Sequence, residues 1–143
     1  MMCPCGSLAP YDGCCGLVHN GTAPAPTALA LMRSRYSAFA VGDAAWLLRS
    51  WHSSTRPRSL ELDPDQVWDR LVILGTTAGG LFDAEGTVEF RALFTHGGRS
   101  DVVQENSRFA RENGLWGYVA ALPQGAVSSP SSKRPPGTQS VVR

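Results

Sequence analysis

From residue 27 to about residue 122 the apolar positions change period along the chain. Leu29, Met32, Tyr36 and Phe39 recur at three- and four-residue steps, which makes one stripe on a helix of 3.6 residues per turn. Thr27 stands before the stripe as a capping hydroxyl and Gly42 after it as a stop, so a helix is predicted between them. Asp43 caps a second helix, expected to run through Trp46 and Leu47 to about Trp51. Asp63-Pro64-Asp65-Gln66 reads as a third helix start, with proline at the first helical position and a capping-box glutamine.

From Leu71 the period becomes two. Val88, Phe90, Ala92 and Phe94 alternate with Glu89, Arg91, Leu93 and Thr95, and Gly97-Gly98 then supplies a hairpin turn. Ser100 to about Arg111 is the returning strand, and Asn113-Gly114 turns the chain into Leu115 to Ala120. Helices followed by an antiparallel meander define an α+β architecture.

Composition divides the chain around this patterned middle. Residues 1–22 contain all four cysteines, and the linker-like Ala23-Pro24-Ala25-Pro26 separates them from an α+β domain over residues 27–122. Residues 123–143 are rich in proline, serine and glycine, lack aromatic side chains, and read as a disordered tail. With 143 residues and 43% hydrophobic content, the chain has enough apolar material for one core. A net charge of +1 argues against generic attraction to nucleic acid or to membranes. No run approaches the roughly 18 consecutive apolar residues of a membrane span. The opening Met1-Met2-Cys3-Pro4 carries no export-signal pattern, which leads to the expectation of a cytoplasmic protein.

Cys3-Pro4-Cys5-Gly6 and Cys14-Cys15-Gly16 carry the clearest chemistry. Two short ligand pairs on separate turns suit a tetrahedral metal site, four thiolates favour Zn²⁺ over hard cations, and a closed shell favours a structural role. The alternatives are oxidised or redox-active thiols and another metal, although neither pair has the C-x-x-C spacing of a redox dithiol. Pro4 stiffens the first turn, while Gly6 and Gly16 can take positive φ and let backbone N–H groups approach the sulfurs. A segment of about 20 residues buries too little apolar area to fold alone, so metal binding is expected to supply its folding energy. His19 could replace a thiolate, but four cysteines already fill the shell.

CPCGSLAPYDGCCG resembles the SEC-C motif, a small zinc-binding element. Together with LMRSRYSAF, Trp51-His52, TVEFRALFTHGG, ENSRFARENG and LWGYV, it makes the chain similar to the YchJ-like family of bacterial proteins. The resemblance covers about Cys3 to Ala120. It implies a zinc knuckle joined to a cone-shaped domain of the cystatin or nuclear-transport-factor-two type, with Cys3, Cys5, Cys14 and Cys15 as metal ligands. SEC-C motifs often carry lysines between the cysteine pairs; Leu8 to Gly13 include none, which weakens the case for an anionic partner.

A cone fold is expected to leave a pocket at one end, and Tyr36, Trp51, His52 and Glu105 are the candidates for its lining. His52 is the obvious near-neutral acid or base, with capping of a helix C-terminus as the structural alternative. Glu105 shares a strand face with Val103, Ser107 and Phe109, so it is expected to be buried and paired with an arginine such as Arg33 or Arg35. No nucleophile elbow, phosphate loop or dinucleotide fingerprint occurs. The preferred reading is therefore a zinc-containing module that binds a protein or a small molecule. The alternatives are a small hydrolase- or isomerase-type enzyme using His52 and Glu105, and a thiol redox or metal-handling protein.

Overall fold

The computed structural model describes residues 1–123. The expectation of a disordered tail lies outside that range, apart from Pro123. Thr27 accepts a hydrogen bond from the Ala30 N–H at 3.0 Å and so opens helix α2 (Ala28–Val41), after a short α1 (Cys15–His19). Gly42 ends α2 in the left-handed conformation at φ 82°. Asp43 restarts the chain at once, accepting from the Trp46 N–H at 2.9 Å to cap α3 (Ala44–Arg49).

Two expectations for this region are corrected. The second helix stops at Arg49, and Trp51 leaves it to form a parallel bridge with Tyr118. The His52 N–H donates to the Tyr118 carbonyl at 2.8 Å, and the Tyr118 N–H donates to the Ser50 carbonyl at 2.9 Å. Backbone pairing with a distant strand thus replaces the last helical turn. No helix begins at Asp63 either. The Asp63 carboxylate accepts from the Asp65 N–H at 2.9 Å, but the chain then enters strand β1 (Gln66–Ala78). An Asx turn and a helix cap use the same local bond. Val67, Trp68, Leu71, Val72 and Ile73, which favour a pleated surface, decide for the strand.

β1 pairs with β2 (Glu85–His96), β2 with β3 (Arg99–Glu112) and β3 with β4 (Leu115–Ala121), all antiparallel and in sequence order. Both predicted hairpins form, with positive φ at Gly97 and Gly98 and again at Asn113 and Gly114. That pair of positive angles is the turn whose twist matches the strands it joins. Register shifts at Trp68/Arg70, Ile73/Gly75 and Arg108/Phe109 bend the sheet over α2. Val88, Phe90, Phe94, Val103, Phe109 and Tyr118 pack there against Leu31, Met32 and Tyr36 of the helix. The start of α2 is pinned to the β1–β2 turn by the Ala28 N–H, which donates to the Gly79 carbonyl at 2.9 Å. A Cβ on Gly79 would stand 2.8 Å from that of Ala28, so the approach needs glycine. Among the described residues, no helix is long and apolar enough to cross a membrane.

Candidate metal centre

The first ten residues fold back on themselves. Met2 bridges Pro10, the Cys3 N–H donates to the Ala9 carbonyl at 2.8 Å, and Gly6 turns the chain at φ 88°. A single 3-10 turn, Tyr11–Gly13, leads to Cys14 and then into α1. This path sets Cys3 and Cys5 against Cys14 and Cys15. Gly16 is helical rather than left-handed, contrary to the expectation. Its importance is closeness, since a Cβ there would lie 2.7 Å from the Tyr11 carbonyl oxygen.

All four Sγ atoms lie within 4.8 Å of one another, and Cys3, Cys5 and Cys15 are buried. No disulfide joins them. Cys5 Sγ and Cys14 Sγ are 3.7 Å apart. The edge of a tetrahedron with metal–sulfur bonds of about 2.3 Å is about 3.8 Å, so this separation fits a zinc tetrathiolate.

Electrostatics lead to the same fit. Burial opposes ionisation of Cys3, but N–H groups of Cys5 and Cys15 and the Ser37 hydroxyl outweigh it and lower its pKa to about 6. Burial instead pushes the Cys5 and Cys15 thiols up, and neighbouring sulfurs add to the effect. Four thiolates cannot share this volume without a compensating cation. A divalent metal would supply that charge, and the existing donors would suit the resulting anionic centre. The Ser7 hydroxyl lies 3.1 Å from Cys14 Sγ, and the Ser37 hydroxyl lies 3.5 Å from Cys3 Sγ.

His19 has another task. Its Nε2 lies 2.7 Å from the Ser34 carbonyl oxygen and its Nδ1 lies 2.6 Å from the Tyr11 hydroxyl. A carbonyl only accepts, so Nε2 carries a proton, and in the neutral ring Nδ1 then accepts from Tyr11. Both nitrogens are used, and the ring pins the knuckle to α2. Arg33 donates to the Cys5 carbonyl at 2.9 Å, and Arg49 donates to the His19 carbonyl at 2.8 Å. Sequence reasoning placed none of Tyr11, Ser34, Ser37 or Arg33 at this joint. The only available signal was a polar row of Arg33, Ser34 and Ser37 beside the apolar stripe.

The pocket candidates lie elsewhere. Tyr36, Trp51 and Glu105 are buried among the core residues. Glu105 accepts from the Ser107 hydroxyl at 2.8 Å and the Tyr118 hydroxyl at 3.1 Å. Arg35 is buried beside this group, with its guanidinium 4.6 Å from the Tyr118 ring centroid and 5.1 Å from that of Trp51. Nη1 of Arg35 donates to the Leu47 carbonyl and to the Ser50 hydroxyl. Burial lowers the Arg35 pKa to about 10 while Tyr118 and Glu105 hold it up, so the group stays cationic at neutral pH. His52 is half-buried, and its Nδ1 is occupied in its own turn by the Ser54 N–H at 3.1 Å and the Ser54 hydroxyl at 2.7 Å. Trp51 and Tyr118 line an open groove of about 270 Å³ with Thr55 and residues 119–121, and its lining does not include Tyr36, His52 or Glu105.

Comparison with known proteins agrees with this architecture. Residues 27–121 match the family described as "YchJ, middle NTF2-like domain". A UPF0225 protein of Streptomyces coelicolor is 53% identical over 117 residues, which is 82% of this chain and 91% of that protein. One from Chromobacterium violaceum is 48% identical over 124 residues, covering 84% of this chain and 91% of the relative. The solution structure of a SEC-C motif containing protein from Rhodopseudomonas palustris superposes with a TM-score of 0.73 at 32% identity, over 85% of this chain and 98% of the other. A crystal structure of a SEC-C motif containing protein from Psychrobacter arcticus shares the fold with a TM-score of 0.67 at 24% identity, over 98% of this chain and 90% of the other. With its NTF2-like α+β domain and its N-terminal cluster of four cysteines, the chain belongs to the YchJ-like, UPF0225 family.

Proposed function

We propose that this protein is a zinc-containing binding module that acts in the cytoplasm, with Zn²⁺ held by Cys3, Cys5, Cys14 and Cys15. The observation that carries the metal assignment is the sulfur cluster, whose 3.7 Å separation between Cys5 and Cys14 suits a tetrathiolate site. Reduced, clustered thiols also suit a reducing compartment. Binding is favoured over catalysis because the acid–base candidates occupy different surroundings, Glu105 inside the core and His52 in a local turn. The knuckle presents apolar side chains, with Met1 80%, Met2 57% and Leu8 78% exposed. Leu8 is held at φ 68°, a conformation uncommon outside glycine, which supports a fixed tip for contact with a protein partner.

Elemental analysis after purification under reducing conditions tests the metal: one zinc per chain is expected, and a value near zero with four titratable thiols in the folded protein refutes it. The tip is tested by Leu8→Asp. A partner that co-purifies with the wild-type chain in a fixed ratio should be lost from this variant while zinc content is unchanged.

A further inference from the structure

We propose that Ser37, which belongs to the α+β domain and not to the knuckle, is a working part of the metal centre. Metal affinity is then set partly from the body of the protein. The inference rests on the zinc reading given above and extends it to a residue outside the cysteine motif.

Ser37 sits in the middle of α2 and is fully buried. A buried helical serine commonly returns its hydroxyl to a carbonyl one turn back. Ser34 does so, donating to the Leu31 carbonyl at 2.7 Å and accepting from the Trp46 indole N–H at 3.1 Å. Ser37 instead directs its hydroxyl at Cys3 Sγ, 3.5 Å away. Which of the two atoms donates follows from chemistry. A metal-bound thiolate has no proton to give, so the hydroxyl is the donor.

That donor matters because of where Cys3 lies. The residue is 5% exposed, so water has little access to replace a lost hydrogen bond. A tetrathiolate zinc centre carries a formal charge of −2, and hydrogen bonds to its sulfurs disperse that charge. Removing one from a buried anion leaves it short of a donor, the costly direction of such a change. The geometry is held from both sides. His19 fixes the knuckle to the Ser34 carbonyl, and Arg33 fixes the Cys5 carbonyl to the same helix, so Ser37 faces Cys3 across a bolted joint. Coupling is reciprocal: if the domain strengthens the metal site, metal binding must stabilise the domain by the same free energy.

The test uses the full chain. Ser37→Ala is compared with wild type by competition against a chromophoric zinc chelator, and in the Co²⁺-substituted protein by the sulfur-to-metal charge-transfer band. Ser107→Ala, which removes a buried hydroxyl bonded to Glu105 and outside the sulfur cluster, controls for general loss of stability. Ser37→Ala should give up zinc to the chelator with an affinity roughly 10- to 100-fold weaker, the range typical for groups that support a metal ligand. Its charge-transfer band should move to lower energy, because a sulfur relieved of a hydrogen bond gives up electron density more readily. Ser107→Ala should match wild type in both. An unchanged chelator midpoint, an unchanged band, or an equal loss of metal in Ser107→Ala overturns the inference. A wild-type chain that holds no zinc overturns the zinc reading itself, and this extension with it.

Discussion

The knuckle and the α+β domain are held together by opposite means. In the domain, Phe90, Phe94, Phe109 and Tyr118 are almost wholly removed from water and close over α2. In the knuckle the buried cluster consists of Cys3, Cys5 and Cys15, with Tyr11 and Cys14 beside it, while Met1, Met2 and Leu8 face solvent. One region obtains its stability from apolar area, at about 25 cal/mol per Å². The other has little such area and, on the proposed reading, would depend on a metal held by its four cysteines and on its joint with α2. A short segment can therefore keep its hydrophobic side chains on the outside, available for contact, when a metal centre replaces its core.

Breaking the metal centre should show the largest effect. Cys14→Ser is expected to reduce zinc from one per chain to near zero, since structural zinc sites of this type contribute on the order of 10 kcal/mol or more to the folding of their own segment. Limited proteolysis should then cut within residues 1–22 while the β-sheet circular dichroism of the domain persists. Its melting temperature should still fall by several degrees, because the joint through His19 and Arg33 is disturbed. Collapse of the whole chain would show that the two regions do not fold separately.

The reverse experiment attacks the domain. Phe109 is fully buried, and Phe109→Ala should cost about 3–5 kcal/mol. Urea unfolding followed by tryptophan fluorescence would measure it. If zinc retention falls only as the domain unfolds, the knuckle depends on the domain for its docking surface. Retention beyond that point would make the knuckle self-sufficient. Glu105→Gln is a finer probe. It keeps the shape of the side chain but removes the carboxylate that accepts from Ser107 and Tyr118, at an expected cost of roughly 1.5–3 kcal/mol. Zinc content should not change, and a loss of metal would show that the polar core reaches the knuckle.

The same contrast decided what could be read in advance. Val88, Phe90, Ala92 and Phe94 declared their face by strict alternation, and Gly97-Gly98 and Asn113-Gly114 declared their turns because few residues accept positive φ twice in succession. Cysteine clustering was legible because so few side chains can replace a thiolate ligand. Asp63-Pro64 was not, since a helix cap and an Asx turn share their local chemistry and only the strand partners of Val67 and Trp68 separate them. Trp51 read as helical because its bridge to Tyr118 spans most of the domain sequence and leaves no local trace. The burial of Glu105 followed from the period of its strand, and Arg35, one of the two arginines named for it, is buried beside the Tyr118 that donates to Glu105. Ser37 was invisible for the most general reason: it acts across the joint, and a joint exists only after both regions have folded, while Tyr11 acts one step removed, on the His19 ring that makes the joint.

Tyr11→Phe should produce the smallest effect and gives the sharpest view of that joint. The substitution keeps the ring that packs against His19, whose centroid is 5.5 Å away, and removes only the hydroxyl that donates to Nδ1. A single neutral hydrogen bond of this kind contributes about 0.5–1.5 kcal/mol. The loss should appear less in global melting than in local opening. Amide hydrogen exchange in α1 and the first ten residues should speed up several-fold, while the core strands β2 and β3 keep their rates. Uniform acceleration across the sheet would mean that the knuckle and the domain open as one unit, and that the comparison between them describes composition but not stability. Acceleration confined to residues 1–22 would establish the knuckle as a separately opening element, tied down by a joint in which Tyr11 and His19 take part.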